Sequence, residues 1–160
     1  MQAVDIAHLD IDVAVGGIDQ RKIHMLARDN LPKLGFKAPI CIHTPLLIGF
    51  NGEKMSSSKQ NYIALDDPVE RVEKQINNSF CPPKIAEDNP VLQIAKYIIF
   101  PSAGEMTIKR NDKYGGDVHY DSYEELEHDY VQGALHPADV KSNTSSCLNE
   151  VLEPIRKRMR

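Results

Sequence analysis

Apolar and polar positions alternate in two short runs near the start of the chain. Ile11, Val13 and Val15 interleave with Asp12 and Ala14, then Gly16 and Gly17 break the run, which predicts a strand ending in a tight turn. From Asp19 to Leu31 the apolar positions Ile23, Leu26, Ala27 and Leu31 recur at helical spacing. Asp19 stands where a carboxylate caps a helix start, and Pro32 and Gly35 end the helix and turn the chain. Ile40-Cys41-Ile42 predicts a second buried strand. Strand, turn, helix, strand is one βαβ unit, whose strands need neighbours that this stretch does not supply.

From Pro68 the period changes. Val69, Val72 and Ile76 form the stripe of a helix beginning at Pro68, and Pro82 and Pro83 follow its end. A more apolar helix is expected from Asn89-Pro90 to Phe100, stopped by Pro101. Residues 106–110 and 118–120 flank a glycine-containing segment and predict a hairpin. Ser122 and Glu125 have capping-box spacing for a helix that Gly133 closes. The last helix starts at His136-Pro137-Ala138-Asp139 and runs to about Met159, with Leu148, Val151, Leu152 and Ile155 inward and a kink at Pro154. The expected organisation is an α/β segment over 1–67 and a mostly α segment over 68–160.

Composition changes this picture little. The 160 residues are 41% hydrophobic and 26% charged, as in an ordinary soluble protein. A net charge of -4 gives no global basic field, so any nucleic-acid contact must be local; Arg156, Lys157, Arg158 and Arg160 make the densest basic patch. The three cysteines, Cys41, Cys81 and Cys147, have no metal-ligand spacing and read as reduced thiols of a cytoplasmic protein. No apolar run has the length of a membrane span.

The most unusual stretch is Gly52-Glu53-Lys54-Met55-Ser56-Ser57-Ser58-Lys59. Its lysines and consecutive hydroxyls suit a polyphosphate, and they equally suit an exposed loop. In α/β sheets ligands sit at the carboxyl ends of strands, where Gly16, Gly17, Asp19 and Gln20 stand. There Asp19 either accepts from ribose hydroxyls or caps the helix, and Gln20 either reads a small polar substrate or decorates the first turn. Tyr114, beside Lys113 and Gly115-Gly116, is either a stacking platform for an unpaired base or a packed ring. His136 and Asp139 either contact a base edge or serve the helix start. His24 reads as packed or surface-lying, and His43 follows a strand end with no triad nearby.

Gly16 to His24 together with Lys54-Met55-Ser56-Ser57-Ser58 resembles the tyrosyl-tRNA synthetases, first the archaeal and then the eukaryotic cytosolic kind. The second motif is similar to the KMSKS signature of class I synthetases in its KMSSS form. The likeness continues through Lys113-Tyr114-Gly115-Gly116, Leu135-His136-Pro137 and Leu152-Glu153-Pro154-Ile155-Arg156. It implies a partial Rossmann-like catalytic domain followed by a helical anticodon-binding domain with a small hairpin. It also implies ATP-dependent activation of tyrosine and its transfer to tRNA(Tyr), with Mg2+ accompanying ATP and no structural metal. Carried over residue by residue, Gln2, Asp5 and Gln20 hold tyrosine. Gly17 and Asp19 meet the ribose, and Leu46 and Met55 the adenine. Lys54, Ser57 and Ser58 stabilise the phosphates, with Lys59 adding charge where Ser57 replaces the usual second lysine. Tyr114, His136 and Asp139 read the first anticodon base, a guanine.

A complete enzyme of this kind is about twice as long. The resemblance therefore implies the back half of a synthetase, without the HIGH-like motif, the first pocket residues or the insertion through which the family dimerises. Its expected partners are tRNA(Tyr), tyrosine, ATP and a separate N-terminal half or full-length synthetase, and it is expected to be inactive alone. A non-catalytic tRNA-binding module and a structural dimerisation partner are the competing expectations.

Overall fold

The computed structural model describes residues 1–53, 55 and 61–159. The chain forms two compact units, Met1–Leu46 and Leu47–Arg160.

In the first unit, α1 (Gln2–His8) leads to β1 (Val13–Gly17), a 3-10 turn over Ile18–Gln20, α2 (Arg21–Asn30) and β2 (Ile40–Thr44). The strands pair in parallel, Val13 opposite Ile40 and Gly17 opposite Thr44. The expected βαβ unit is present, with two differences. β2, expected to be buried, alternates exposed and half-buried positions. Gly16 and Gly17 continue β1 rather than turning the chain, because neither needs a left-handed backbone. The turn after α2 falls to Gly35, whose φ of 85° ends the 3-10 segment Leu31–Leu34. Ile6, Ala14, Ala27 and Leu31 form a small core between α1, β1 and α2. Period two then leaves Val13, Val15, Ile40 and Ile42 exposed on the sheet's other face.

The second unit carries the larger core. It contains α3 (Val69–Asn77), α4 (Pro90–Ile94), a π-helical stretch Ala95–Ile99, α5 (Phe100–Ala103), the hairpin β3 (Met106–Ile108) and β4 (Val118–Tyr120), α6 (Tyr123–Gln132) and α7 (Pro137–Met159). Val72, Ile76, Leu92, Ile99, Met106, Leu126 and Tyr130 are fully buried there. Pro101 does not stop the helix as expected. It lies in the first turn after the π stretch, where the bonding ladder is already widened, and the helix ends at Gly104 with φ 82°. Likewise α7 runs on through Pro154, and Arg156 turns inward to donate to Asn149 Oδ1 at 2.6 Å instead of joining a surface basic patch.

The expected division into a Rossmann-like part and a separate helical domain does not describe this packing. Phe50 is buried in the same core as Val72 and Ile76. The Phe80 N–H donates to Phe50 O at 2.7 Å, and the Ile48 N–H donates to Gln93 Oε1 at 2.8 Å. Residues 47–67 therefore fold with the helices. The shift of period at Pro68 marks a change of secondary structure within one packed body.

Two buried amides organise the second unit. Asn89 Oδ1 caps α4 by accepting from Val91 and Leu92 at 3.1 and 3.3 Å. Its Nδ2 donates to Ile85 O at 3.1 Å and lies 3.6 Å from Cys81 Sγ. Asn143 on α7 accepts from the Lys109 N–H at 3.0 Å and donates to Lys109 O at 3.1 Å and Asp139 O at 2.8 Å, fixing the end of β3. Tyr130 donates to Pro82 O at 2.8 Å.

Asn143→Ala strands a buried N–H and two carbonyls and should lower unfolding stability by about 1–3 kcal/mol, read by urea denaturation. A loss below about 0.5 kcal/mol would show that water replaces the amide. Stability should also fall at alkaline pH. Burial, first, and then the neighbours Asp129, Glu127 and Cys81 respectively hold the phenols of Tyr120, Tyr123 and Tyr130 above their ordinary value. The unfolded chain loses these protons first, so it binds fewer protons above about pH 10 and stability declines as pH rises, while below that value the contribution is fully present. Phenolate absorbance that rises before any loss of helical signal would contradict this.

Candidate functional site

The carboxyl ends of β1 and β2 form one candidate site. A Cβ at Gly17 would stand 2.6 Å from Asp19 Oδ1 and 3.1 Å from Leu46 Cδ2. Glycine there leaves a bare backbone floor between a carboxylate and an apolar side chain. Asp19 is exposed and does not cap α2, because the intervening 3-10 turn moves the helix start to Arg21. Its Oδ2 instead accepts from Gln20 Nε2 at 3.0 Å. The structure thus brings together Gly17, Asp19, Gln20 and Leu46. Gln2 and Asp5 lie three residues apart on exposed positions of α1, and no hydrogen bond among the described residues joins either to Gln20.

Beneath the floor is a contact that sequence reasoning missed. Buried His24 places Nδ1 3.1 Å from His43 Nε2, so one ring donates and the other accepts. A Cβ at Gly16 would meet His24 Cε1 at 3.1 Å, which ties the first glycine to this pair. Two histidines at the ends of different elements give no periodic signal.

In the second unit, Met55 is half-buried and lines an apolar cavity of about 230 Å³ with Phe50, Ile63, Ile94, Ile98 and Leu152. Lys54, Ser57, Ser58 and Lys59 lie outside the described residues. On either side of them the Phe50 N–H donates to Asn61 O at 3.1 Å and the Gly49 N–H to Glu53 O at 2.7 Å. Gly49 is required there, since a Cβ would collide with the Asn61 amide.

Tyr114, His136 and Asp139 share one cavity of about 600 Å³, which Lys84, Arg110 and Gly133 also line. Tyr114 is 61% exposed, so it is not packed into the core. It stands on a 3-10 turn, Asp112–Tyr114, capped by Asn111 and followed by Gly115 and Gly116 at φ 101° and 72°. Lys113 Nζ lies 4.6 Å from its ring centroid. His136 precedes α7 and accepts from the Ala138 N–H through Nδ1 at 3.1 Å. The neutral ring therefore carries its proton on the outward Nε2. The Asp139 carboxylate, in the first turn of α7, has no partner among the described residues.

Arg110, which the sequence reading passed over, ties the two walls of this cavity. Its Nε donates to Gly116 O at 2.7 Å and its Nη1 to Ala134 O at 2.8 Å, while its N–H donates to Asp117 Oδ1 at 2.9 Å. Elsewhere, exposed His119 lies within 3.4 Å of Glu105 and 3.2 Å of Asp121, a group with metal-ligand spacing that surface ion pairing explains equally well. Among the described residues no helix is long and apolar enough to cross a membrane.

The family model for tRNA synthetases class I (W and Y) matches residues 1–153. The tyrosine–tRNA ligase of Archaeoglobus fulgidus is 57% identical over 159 residues, covering 99% of this chain and 49% of that protein. The corresponding ligase of Methanopyrus kandleri is 57% identical over 158 residues, covering 98% of this chain and 49% of the relative. The crystal structure of the Archaeoglobus fulgidus tyrosyl-tRNA synthetase complexed with L-tyrosine superposes with a TM-score of 0.92 at 56% identity, over 99% of this chain and 50% of that one. The chain spans about half the length of the curated relatives it matches.

One family model running unbroken from residue 1 to 153 crosses the expected boundary at 67/68. It overturns the expectation of a catalytic remainder joined to a separate anticodon-binding domain. The strands of 13–44 and the helices of 69–159 belong to one continuous Rossmann-like synthetase domain. With a family match over nearly all its length, the chain belongs to the class I tRNA synthetases of the W and Y kind.

Proposed function

We propose that this chain serves tyrosine–tRNA ligation. The tyrosine carboxylate attacks the α-phosphorus of ATP, which enters as its Mg2+ complex. The bond to the bridging oxygen breaks and pyrophosphate leaves; a ribose hydroxyl at the 3′ end of tRNA(Tyr) then attacks the tyrosyl carbonyl of tyrosyl-adenylate, forming the ester and releasing AMP. The observation that carries this reading is the bare Gly17 floor between Asp19 and Leu46 at the ends of two parallel strands. A ribose set there offers hydroxyls to Asp19, and an adenine ring meets Leu46. Met55 is assigned to adenine by its place in the KMSSS-like motif alone. The Asp19–Gln20 hydrogen bond orients the Gln20 amide, which, with Gln2 and Asp5, reads the polar groups of tyrosine. Lys54, Ser57 and Ser58 supply cationic and hydroxyl donors to phosphate oxygens whose charge develops in the transition state.

Tyr114, His136 and Asp139 are proposed to receive the first anticodon base. The ring stacks on it, His136 Nε2–H donates to an acceptor edge, and the Asp139 carboxylate accepts from N–H groups. That pairing fits guanine, which presents both. A second reading, RNA binding without catalysis, is favoured by the same observation, since these three side chains already line one cavity.

A site enclosing two substrates draws on groups from several segments, so adenylation by this chain alone should be weak. Tyrosine-dependent exchange of pyrophosphate into ATP tests this, using the folded chain alone and then mixed with the polypeptide corresponding to the other half of a relative. Exchange is expected on mixing, with Lys54→Ala lowering its rate on the order of 10²–10³-fold. Exchange by neither sample would leave the RNA-binding reading. For the cavity, Asp139→Asn should weaken tRNA(Tyr) binding by about 1–3 kcal/mol, and only when the first anticodon base is guanine.

A further inference from the structure

The cavity of Tyr114, His136 and Asp139 holds a cation that the roles above leave unused. Lys84 adopts a left-handed backbone, φ 62°, directly after Pro82 and Pro83. A lysine there is strained, and only surrounding structure holds it. Tyr130 supplies part of that hold through its hydrogen bond to Pro82 O, and the Ile85 carbonyl on the other side accepts from Asn89. The Lys84 side chain then runs over Gly133, where a Cβ would collide with Lys84 Cε. Gly133 has φ 85° and closes α6, so it is a glycine for its backbone and for the room it leaves.

Its ammonium makes no hydrogen bond or ion pair among the described residues, although Asp139 lines the same cavity. Arg110 commits two of its five guanidinium donors to the Gly116 and Ala134 carbonyls and makes no ion pair among the described residues, so its positive charge also stands uncompensated. The lining thus combines an exposed aromatic ring, a base-edge donor, a carboxylate and two uncompensated cations. Bases carry no formal negative charge, whereas their phosphates do.

We propose that Lys84 is the phosphate anchor of this cavity: its ammonium binds a backbone phosphate of the RNA strand whose base lies on Tyr114, with Arg110 positioning the two walls and adding to the field. This rests on the reading of the cavity as a tRNA site. A lysine is a point charge for phosphate and carries no base information, so Lys84 sets affinity and register while His136 and Asp139 set identity.

The test is equilibrium binding of transcribed tRNA(Tyr) to the full chain across a salt series. Lys84→Met keeps the aliphatic stem and removes the charge. It should weaken binding several-fold at low salt and reduce the slope of log K against log salt by about 0.7–1, equally for tRNAs with guanine or another base at the first anticodon position. Lys84→Arg should restore the slope. Tyr114→Ala should weaken binding without changing it. Weakening by Tyr114→Ala with a wild-type slope in Lys84→Met overturns the anchor and leaves the cavity reading standing. A Lys84→Met penalty that depends on the first anticodon base also overturns it, since that behaviour belongs to a base contact. Unaltered binding in both variants, or no binding by the wild-type chain, removes the cavity reading and the anchor with it.

Discussion

The second unit depends on the burial of one amide. Asn89 is fully excluded from solvent at a point where a helix start, a proline-rich loop and a buried cysteine converge. A helix begins with backbone N–H groups that have no partner inside the helix. With Pro90 next in sequence, one of those donors is already absent, and the Asn89 carbonyl oxygen takes the following two. The amide's other end holds the loop that descends from α3. Because all its polar atoms are engaged, the residue stabilises the core around it; left unpaired in the same place, it would oppose folding. Everything that lines the cavity from this side, Lys84 included, inherits its position from that arrangement.

Asn143 does the equivalent work from α7. It engages both backbone groups of Lys109, so the strand leading into Arg110 cannot slide along the helix. Arg110 then reaches two carbonyls on different segments. The turn bearing Tyr114 is consequently set by a chain of hydrogen bonds, while the helix start bearing His136 is also seated by buried Leu135 and Val140. Such a chain is directional, which suits a surface that must present a ring, a donor and an acceptor in fixed relation.

Much of this fold was legible because it follows from period. Alternation placed β1 and β2, the 3.6-residue stripe placed α3 and α7, and Ser122 with Gly133 framed α6. The failures share one cause. Asp19 reads as a cap until the 3-10 turn displaces the helix start, and Pro101 reads as a stop until the π stretch makes room for it. Asn143, Arg110 and the His24–His43 pair act through partners as many as 34 residues away, and no local window reports such bonds. The residues at the strand ends and on the Tyr114 turn were singled out by composition. Lys84 had no such marker, because a lysine after two prolines is unremarkable until its backbone angle is known.

The π-helical stretch at Ala95–Ile99 bears on how this chain tolerates a change in length. A wide turn holds one residue more than the α-helical geometry on either side of it requires. Each residue of an α-helix advances about 100° around the axis. Removing one residue here would let the stretch close to α-helical geometry with its flanks in register, whereas removing one from the α-helical turns beside it would rotate everything downstream by that angle relative to Val91 and Leu92, carrying Phe100 away from its edge-on contact with Tyr123. The bulge is thus a one-residue insertion that the helix absorbs without breaking. The wide turn is therefore where this helix can shed a residue without redrawing the core on which the hairpin rests.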